Sequence, residues 1–184
     1  MEEDVASILI SADELQAKVR ELGQAISRDY AGLDPLLVGV LKGVVVFMAD
    51  LLRAITIPVS VDFLAISSYG PQAASLGIVR IIKDLDQDIH GRHVLLVEDV
   101  VDTGLTLSYI LKTLQARQPA SLNVCTLFNR PHRRLVDVPI VYKGFDLPDC
   151  FVVGYGLDYE QRYRNLPYVA VLKDEILGIR QRCS

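Results

Sequence analysis

The run His93-Val-Leu-Leu-Val-Glu-Asp-Val-Val-Asp-Thr-Gly-Leu-Thr106 constrains the fold more than any other stretch of this chain. Its four consecutive apolar residues, Val94 to Val97, lie just past Gly91 and predict a buried strand. Glu98, Asp99 and Asp102 then fall within five positions, and this reads as an acidic turn. Asp102-Thr-Gly-Leu-Thr106 leads into Leu107 to Leu114, which has the pattern of a helix. A buried strand that gives way to small and hydroxyl residues at a helix start is the arrangement expected of a phosphate site. Amide groups in the first turn of a helix have no partner within it and carry partial positive charge, so an anion can settle there. Gly104 allows close approach of the backbone, and Thr103 and Thr106 add hydroxyl donors.

The carboxylates need their own account, because Glu98 and Asp99 alone would repel a phosphate. Either they face sugar hydroxyls, or a hard cation such as magnesium stands between them and phosphate oxygens. Asp102 also reads as an ordinary N-cap, a role that Asp fills often.

Around this segment the chain alternates strands with helices, which predicts an α/β sheet that is at least partly parallel. Ser11-Ala-Asp-Glu14 is a capping box, followed at helical spacing by Leu15, Val19, Leu22 and Ile26. Strands are expected at Leu36 to Leu41, Val59 to Ile66, Ile78 to Ile82 and Leu122 to Phe128, with a helix over Val44 to Ile55. Phe151 to Val153 opens the last apolar stretch. Ligands of such sheets sit beyond the carboxyl ends of the strands, and Lys42, Glu98 and Arg130 each fall at or past a predicted strand end. No repeat, linker or low-complexity tract divides the 184 residues, so one domain is expected over 1–184.

No apolar run approaches the roughly 20 residues of a membrane span, and the acidic start Met1-Glu-Glu-Asp4 is unlike a signal peptide. Cys125, Cys150 and Cys183 are odd in number and lack metal-ligand spacing, so they read as reduced structural thiols. A cytoplasmic protein without a membrane partner is the expectation. Net charge of −4 argues against a general nucleic-acid binder. Arg133 and Arg134 read as a solvated charged face.

Leu95 to Thr106 resembles the phosphoribosyl-pyrophosphate motif of type I phosphoribosyltransferases. Leu41-Lys-Gly43, Ser67-Ser-Tyr-Gly70 and Phe151-Val-Val-Gly-Tyr-Gly-Leu-Asp-Tyr159 resemble segments of bacterial hypoxanthine-guanine phosphoribosyltransferases. They come in the family's order, and the likeness runs from about residue 7 to 172.

The resemblance implies the type I fold: a mostly parallel twisted sheet flanked by helices, with a small hood from the chain ends. It also implies transfer of the phosphoribosyl group to N9 of hypoxanthine or guanine, with magnesium as cofactor and a homo-oligomer, dimer or tetramer, as the working form. By the same likeness, Asp102 is the general base or acid at purine N7. Lys42, Gly43, Ser68, Tyr69, Glu98, Asp99, Asp102, Thr103, Gly104, Leu105, Thr106 and Arg164 would bind the phosphoribosyl and pyrophosphate groups. Some relatives hold a cis peptide at the Lys42 loop. Ser67 to Gly77 resembles a mobile lid, with Ser68 and Tyr69 near its tip. Arg130, Phe151, Val152 and Asp158 would meet the purine, and Glu98, Asp99 and Asp158 would hold the metal.

One departure stands out. Relatives read Asp-Lys-Pro or Arg-Lys-Pro where this chain has Asn129-Arg130-Pro131, so Arg130 takes the place of a lysine that donates to purine O6. Arginine keeps the charge but is wider and more rigid, which opens the preference among 6-oxopurines, xanthine included. A non-catalytic regulator that senses phosphoribosyl-pyrophosphate and binds nucleic acid is the rival from another class. The joint presence of Asp102, Phe151, Asp158 and Arg164 argues against it.

Overall fold

The computed structural model describes residues 1–68 and 79–178. Nine strands and four α-helices follow one another among them. Strand β1 (Val5–Ile10) leads into helix α1 (Ala12–Asp29), then β2 (Leu36–Leu41), α2 (Val44–Ala54) and β3 (Ser60–Ser68). After β4 (Val79–Lys83) come β5 (His93–Val101), α3 (Leu105–Gln115), β6 (Ser121–Asn129) and β7 (Tyr142–Asp146). The chain closes with β8 (Val152–Val153), β9 (Val169–Leu172) and the short α4 (Asp174–Leu177).

Six strands form the main sheet in the order β4-β3-β2-β5-β6-β7. All neighbours in it run parallel except the antiparallel pair β3 and β4. A parallel strand between helical layers must be apolar on both faces, and β2 and β5 meet that demand by alternation. Leu37, Leu95 and Val97 pack with α1 and α2. Leu36, Val38, Val94 and Leu96 pack on the opposite face with Ile110 and Leu114 of α3. Each such side chain contributes roughly 1.5–3 kcal/mol by leaving water.

The first helix starts as its sequence predicts. Ser11 Oγ accepts from Glu14 N at 3.3 Å, and Glu14 Oε2 accepts from Ser11 N at 2.8 Å. Gly23 then lets α1 lie against the end of α2: a Cβ there would stand 2.6 Å from Ala54 Cβ.

The second sheet, β1-β9-β8, is antiparallel and built from both chain ends, which is the expected hood. Tyr163 Oη donates to Asp4 Oδ2 at 3.0 Å, and Lys173 N donates to Asp4 O at 2.9 Å, fastening the start of the chain to its last third.

Two expectations change. Glu98 and Asp99 do not lie in a turn, because β5 continues through them to Val101 and pairs with β6 as far as Val101 and Asn129. Asp102 is not the N-cap of α3; Gly104 holds that position at φ 84°. Phe151 precedes β8 and is 37% exposed, as a residue that meets a ligand can be. Strands β1, β7 and β9 have no individual counterpart in the sequence reading. Cys125 and Cys150 are buried thiols outside any disulfide, as expected, whereas Cys183 lies outside the described residues. Among the described residues no helix is long and apolar enough to cross a membrane.

Candidate active site

The parallel strands β2, β5 and β6 end side by side, so the segments that follow them meet at one edge of the sheet. A cleft of about 370 Å³ lies over the ends of β2 and β5. A second, of about 230 Å³, adjoins it toward Arg130 and Phe151. Asp99, Val100, Asp102 and Asp158 line both.

Lys42 and Gly43 form the link from β2 to α2, and the Leu41–Lys42 peptide is cis. Gly43 is required here for space. Its backbone is ordinary right-handed helical, but a Cβ would fall 1.7 Å from Asp99 Oδ2. Gly156, at φ 98°, presses on the same loop from the other side, where a Cβ would meet Gly43 O at 2.1 Å. Three segments remote in sequence thus close around the Asp99 carboxylate.

Glu98 is 8% exposed and sits beside Asp99. Burial, then the neighbouring Asp99 charge, push its carboxyl well above the usual range. Burial also raises Asp99, with Asp158 adding to the effect while backbone donors and Arg164 oppose it. Two adjacent carboxyl groups in this condition would be relieved by a cation, and that donor chemistry fits a hard divalent ion. Among the described residues no three His, Cys, Asp or Glu side chains converge into a metal cage. A cation here would draw its remaining oxygens from substrate and water, as magnesium commonly does.

After β5 the loop Asp102–Gly104 turns into α3. Gly104 offers no capping side chain, and Leu105 N reaches Thr103 Oγ1 only at a long 3.4 Å. The start of α3 therefore keeps the character of an anion site, with Thr103, Gly104 and Thr106 lining the larger cleft. Asp102 Oδ1 is buried without a hydrogen-bond partner, and Oδ2 lies 3.3 Å from Arg133 Nη1.

Beside the smaller cleft Arg130 is 8% exposed. Its Nη2 donates to Cys150 O at 3.0 Å, while its Nε is buried without a partner. Phe151 meets Tyr159 edge to face at 5.7 Å, and Val152 completes the wall. Arg164 Nη1 donates to Gly156 O at 2.7 Å, and its Nη2 pairs with Asp158 Oδ1, also at 2.7 Å. Gln161 N holds Asp158 Oδ2 at 2.9 Å.

The fold therefore brings together Lys42, Gly43, Glu98, Asp99, Asp102 to Thr106, Arg130, Phe151, Val152, Asp158 and Arg164 at one edge. Ser68 ends β3, and Tyr69 with most of the expected lid lies outside the described residues.

Arg134 is half-buried rather than part of the solvated face expected of it, while Arg133 remains exposed as expected. Arg133 pairs with Asp102, and Arg134 donates through Nε to Asp102 O at 3.1 Å and through Nη2 to Asn129 Oδ1. The one available signal was their place just after Pro131, which turns the chain at the end of β6.

Residues 11–160 match the phosphoribosyl transferase domain family. The hypoxanthine-guanine phosphoribosyltransferase of Mycobacterium tuberculosis is 52% identical over 179 residues, covering 94% of this chain and 89% of the relative. That of Bacillus subtilis is 47% identical over 176 residues, covering 96% and 98%. A crystal structure of a hypoxanthine phosphoribosyltransferase from Staphylococcus aureus superimposes with a TM-score of 0.92 at 44% identity, covering 96% of each chain. This chain belongs to the hypoxanthine-guanine phosphoribosyltransferases of the phosphoribosyl transferase family.

Proposed function

We propose that this protein transfers the 5-phosphoribosyl group from phosphoribosyl-pyrophosphate to N9 of hypoxanthine or guanine. It releases pyrophosphate and yields IMP or GMP for purine salvage. The observation that carries this reading is the place of Asp102, which lines both clefts at the boundary between them.

The amides and hydroxyls from Thr103 to Thr106 hold the 5-phosphate. Lys42 and Arg164 hold the pyrophosphate, and Arg suits it because its planar fork can give two hydrogen bonds to one phosphate. Phe151 stacks on the base, and the backbone at Val152 reads its edge. Arg130 donates to O6, which favours a 6-oxo group and disfavours the 6-amino donor of adenine.

As the bond from C1′ to pyrophosphate breaks and the bond to N9 forms, positive charge grows on the sugar. Asp102 exchanges the proton at N7. Only contacts that strengthen at this stage accelerate the step. Glu98, Asp99 and Asp158 would each offer oxygens to magnesium, with substrate and water completing its shell, and the ion would supply charge neutralisation for the leaving group. Asp158 and Arg164 neutralise each other without ligand, so each must trade the other for its share of the substrate. Ser68 and Tyr69 belong to a lid that excludes water from the ribosyl cation. The enzyme works as a single domain in a cytoplasmic dimer or tetramer.

Pyrophosphate release with phosphoribosyl-pyrophosphate and magnesium tests this directly, with hypoxanthine, guanine, xanthine and adenine side by side. Turnover is expected with the first two and not with adenine. Turnover led by xanthine would reassign the base, and the buried Arg130 in a lysine position gives that outcome a physical basis. Tight binding without turnover of any base would replace the enzyme with a sensor.

A further inference from the structure

After β6 the chain turns back across the loop that joins β5 to α3. Arg130 N donates to Val101 O at 3.0 Å, and Leu135 N and Val136 N both donate to Thr103 O, at 2.9 and 3.1 Å. Arg134 Nε reaches Asp102 O at 3.1 Å. Val136 O lies so close to Gly104 that a Cβ there would approach it to 2.3 Å. Residues 130–136 thus form a strap that holds the backbone of residues 101–104.

None of these bonds fixes the Asp102 side chain, whose two torsions would otherwise remain free. Arg133 does so. Its Nη1 lies 3.3 Å from Asp102 Oδ2, while Oδ1 is buried and unpartnered. Arg133 lines neither cleft, whereas Asp102 lines both.

We propose that Arg133 is a positioning residue: it clamps Asp102 Oδ2 and so fixes the carboxyl group at the boundary of the two clefts, where that group exchanges the purine proton. This rests on Asp102 serving as acid or base in phosphoribosyl transfer. Because the clamp belongs to the strap that begins at Arg130, the group that reads the base and the group that moves its proton are held by one short segment. The two side chains are 47% and 39% exposed, so the pair adds little to stability. Its effect falls on geometry, and a small misplacement of a reacting group is costly in rate.

Steady-state kinetics of Arg133→Ala and Arg133→Lys, each alone and combined with Asp102→Asn, test this. Arg133→Ala should lower kcat roughly ten-fold with both KM values unchanged. Its Tm should stay within about 2 °C of the parent. Arg133→Lys should recover most of the loss, and Arg133→Ala should cost nothing further once Asp102 is Asn.

An unchanged kcat in Arg133→Ala overturns the clamp, as does an equal loss in the Asp102→Asn background. A rise in the KM of the base would mean that Arg133 touches substrate. If the unsubstituted enzyme transfers no phosphoribosyl group to any base, the parent reading falls and takes the clamp with it. An active parent beside an undiminished Arg133→Ala removes the clamp alone.

Discussion

Arg130 shows how much one side chain can carry at this edge. It is buried, lines the smaller cleft, is bonded to Cys150 O through one nitrogen and is left with an orphan Nε. An unpaired buried donor is unfavourable until a ligand acceptor arrives, so the same group that destabilises the empty pocket favours an oxo substituent. Arg130→Met keeps the volume and removes every donor. It should lower kcat/KM for hypoxanthine roughly 10- to 100-fold, the worth of one charged hydrogen bond. The KM of phosphoribosyl-pyrophosphate should not move. An unchanged kcat/KM for hypoxanthine would remove Arg130 from base recognition. Asn129 beside it is also suited to its place. Its amide donates to Asp146 Oδ1 at 2.5 Å and accepts from Arg134, two duties of opposite sign that no carboxylate could perform.

At the scale of elements, the β2–α2 link and β5 act together because Gly43 leaves room for Asp99. Gly43→Ala puts a methyl where Asp99 Oδ2 now lies, so the carboxylate must leave its position over the cleft. The KM of phosphoribosyl-pyrophosphate should rise roughly ten-fold or more, the usual range for loss of one charged contact. Far-UV circular dichroism should be unchanged, and an unaltered KM would show that Asp99 has no part in binding. Much of this architecture could be read from the chain. Four apolar residues at Val94 to Val97 and another four, Leu36, Leu37, Val38 and Val40, are buried on both faces, and such strands announce themselves by hydrophobicity alone. β7 does not, because Tyr142-Lys-Gly-Phe-Asp146 lies at an edge and alternates imperfectly. Gly144 serves there only to let Leu127 O approach, where a Cβ would stand 2.3 Å away. The candidate site was legible wherever a strand end carried its own polar residues. The strap was not, since Arg133 meets Asp102 only after β5 and β6 pair, and local pattern holds no trace of that contact. The extension of β5 through Glu98 and Asp99 was hidden for a related reason: polar residues at a buried strand end mimic a turn.

For the whole molecule, Glu98 and Asp99 set stability against ligand readiness. Both carboxyls are raised by burial in the ligand-free fold, Glu98 well above its ordinary range. A carboxyl whose folded value is raised binds more protons in the native state than in the unfolded chain. Its contribution is therefore fully present below the unfolded value of about 4.3 and is lost as pH rises toward the folded value. Other groups act in the opposite sense. Asp146 is held low, first by its hydrogen bond from Lys143 and then by Asn129, so its contribution grows above the unfolded value and would mask the first effect in a single curve. Comparison with Glu98→Gln isolates the term. The Gln variant should melt at nearly the parental temperature near pH 4. It should pull ahead as pH rises, by roughly 2–4 °C at neutral pH if the difference is about 1 kcal/mol. Addition of phosphoribosyl-pyrophosphate with magnesium should reverse that order, because a cation among these carboxylates stabilises the ionised forms that only the parent has, and ligand binding to the native state raises Tm. Differential scanning calorimetry from pH 4 to 8, with and without ligand, decides it. Parallel curves for the two proteins without ligand would mean that Glu98 is ionised at no cost in the free enzyme, and the case for a cation at this carboxylate pair would lose its physical ground.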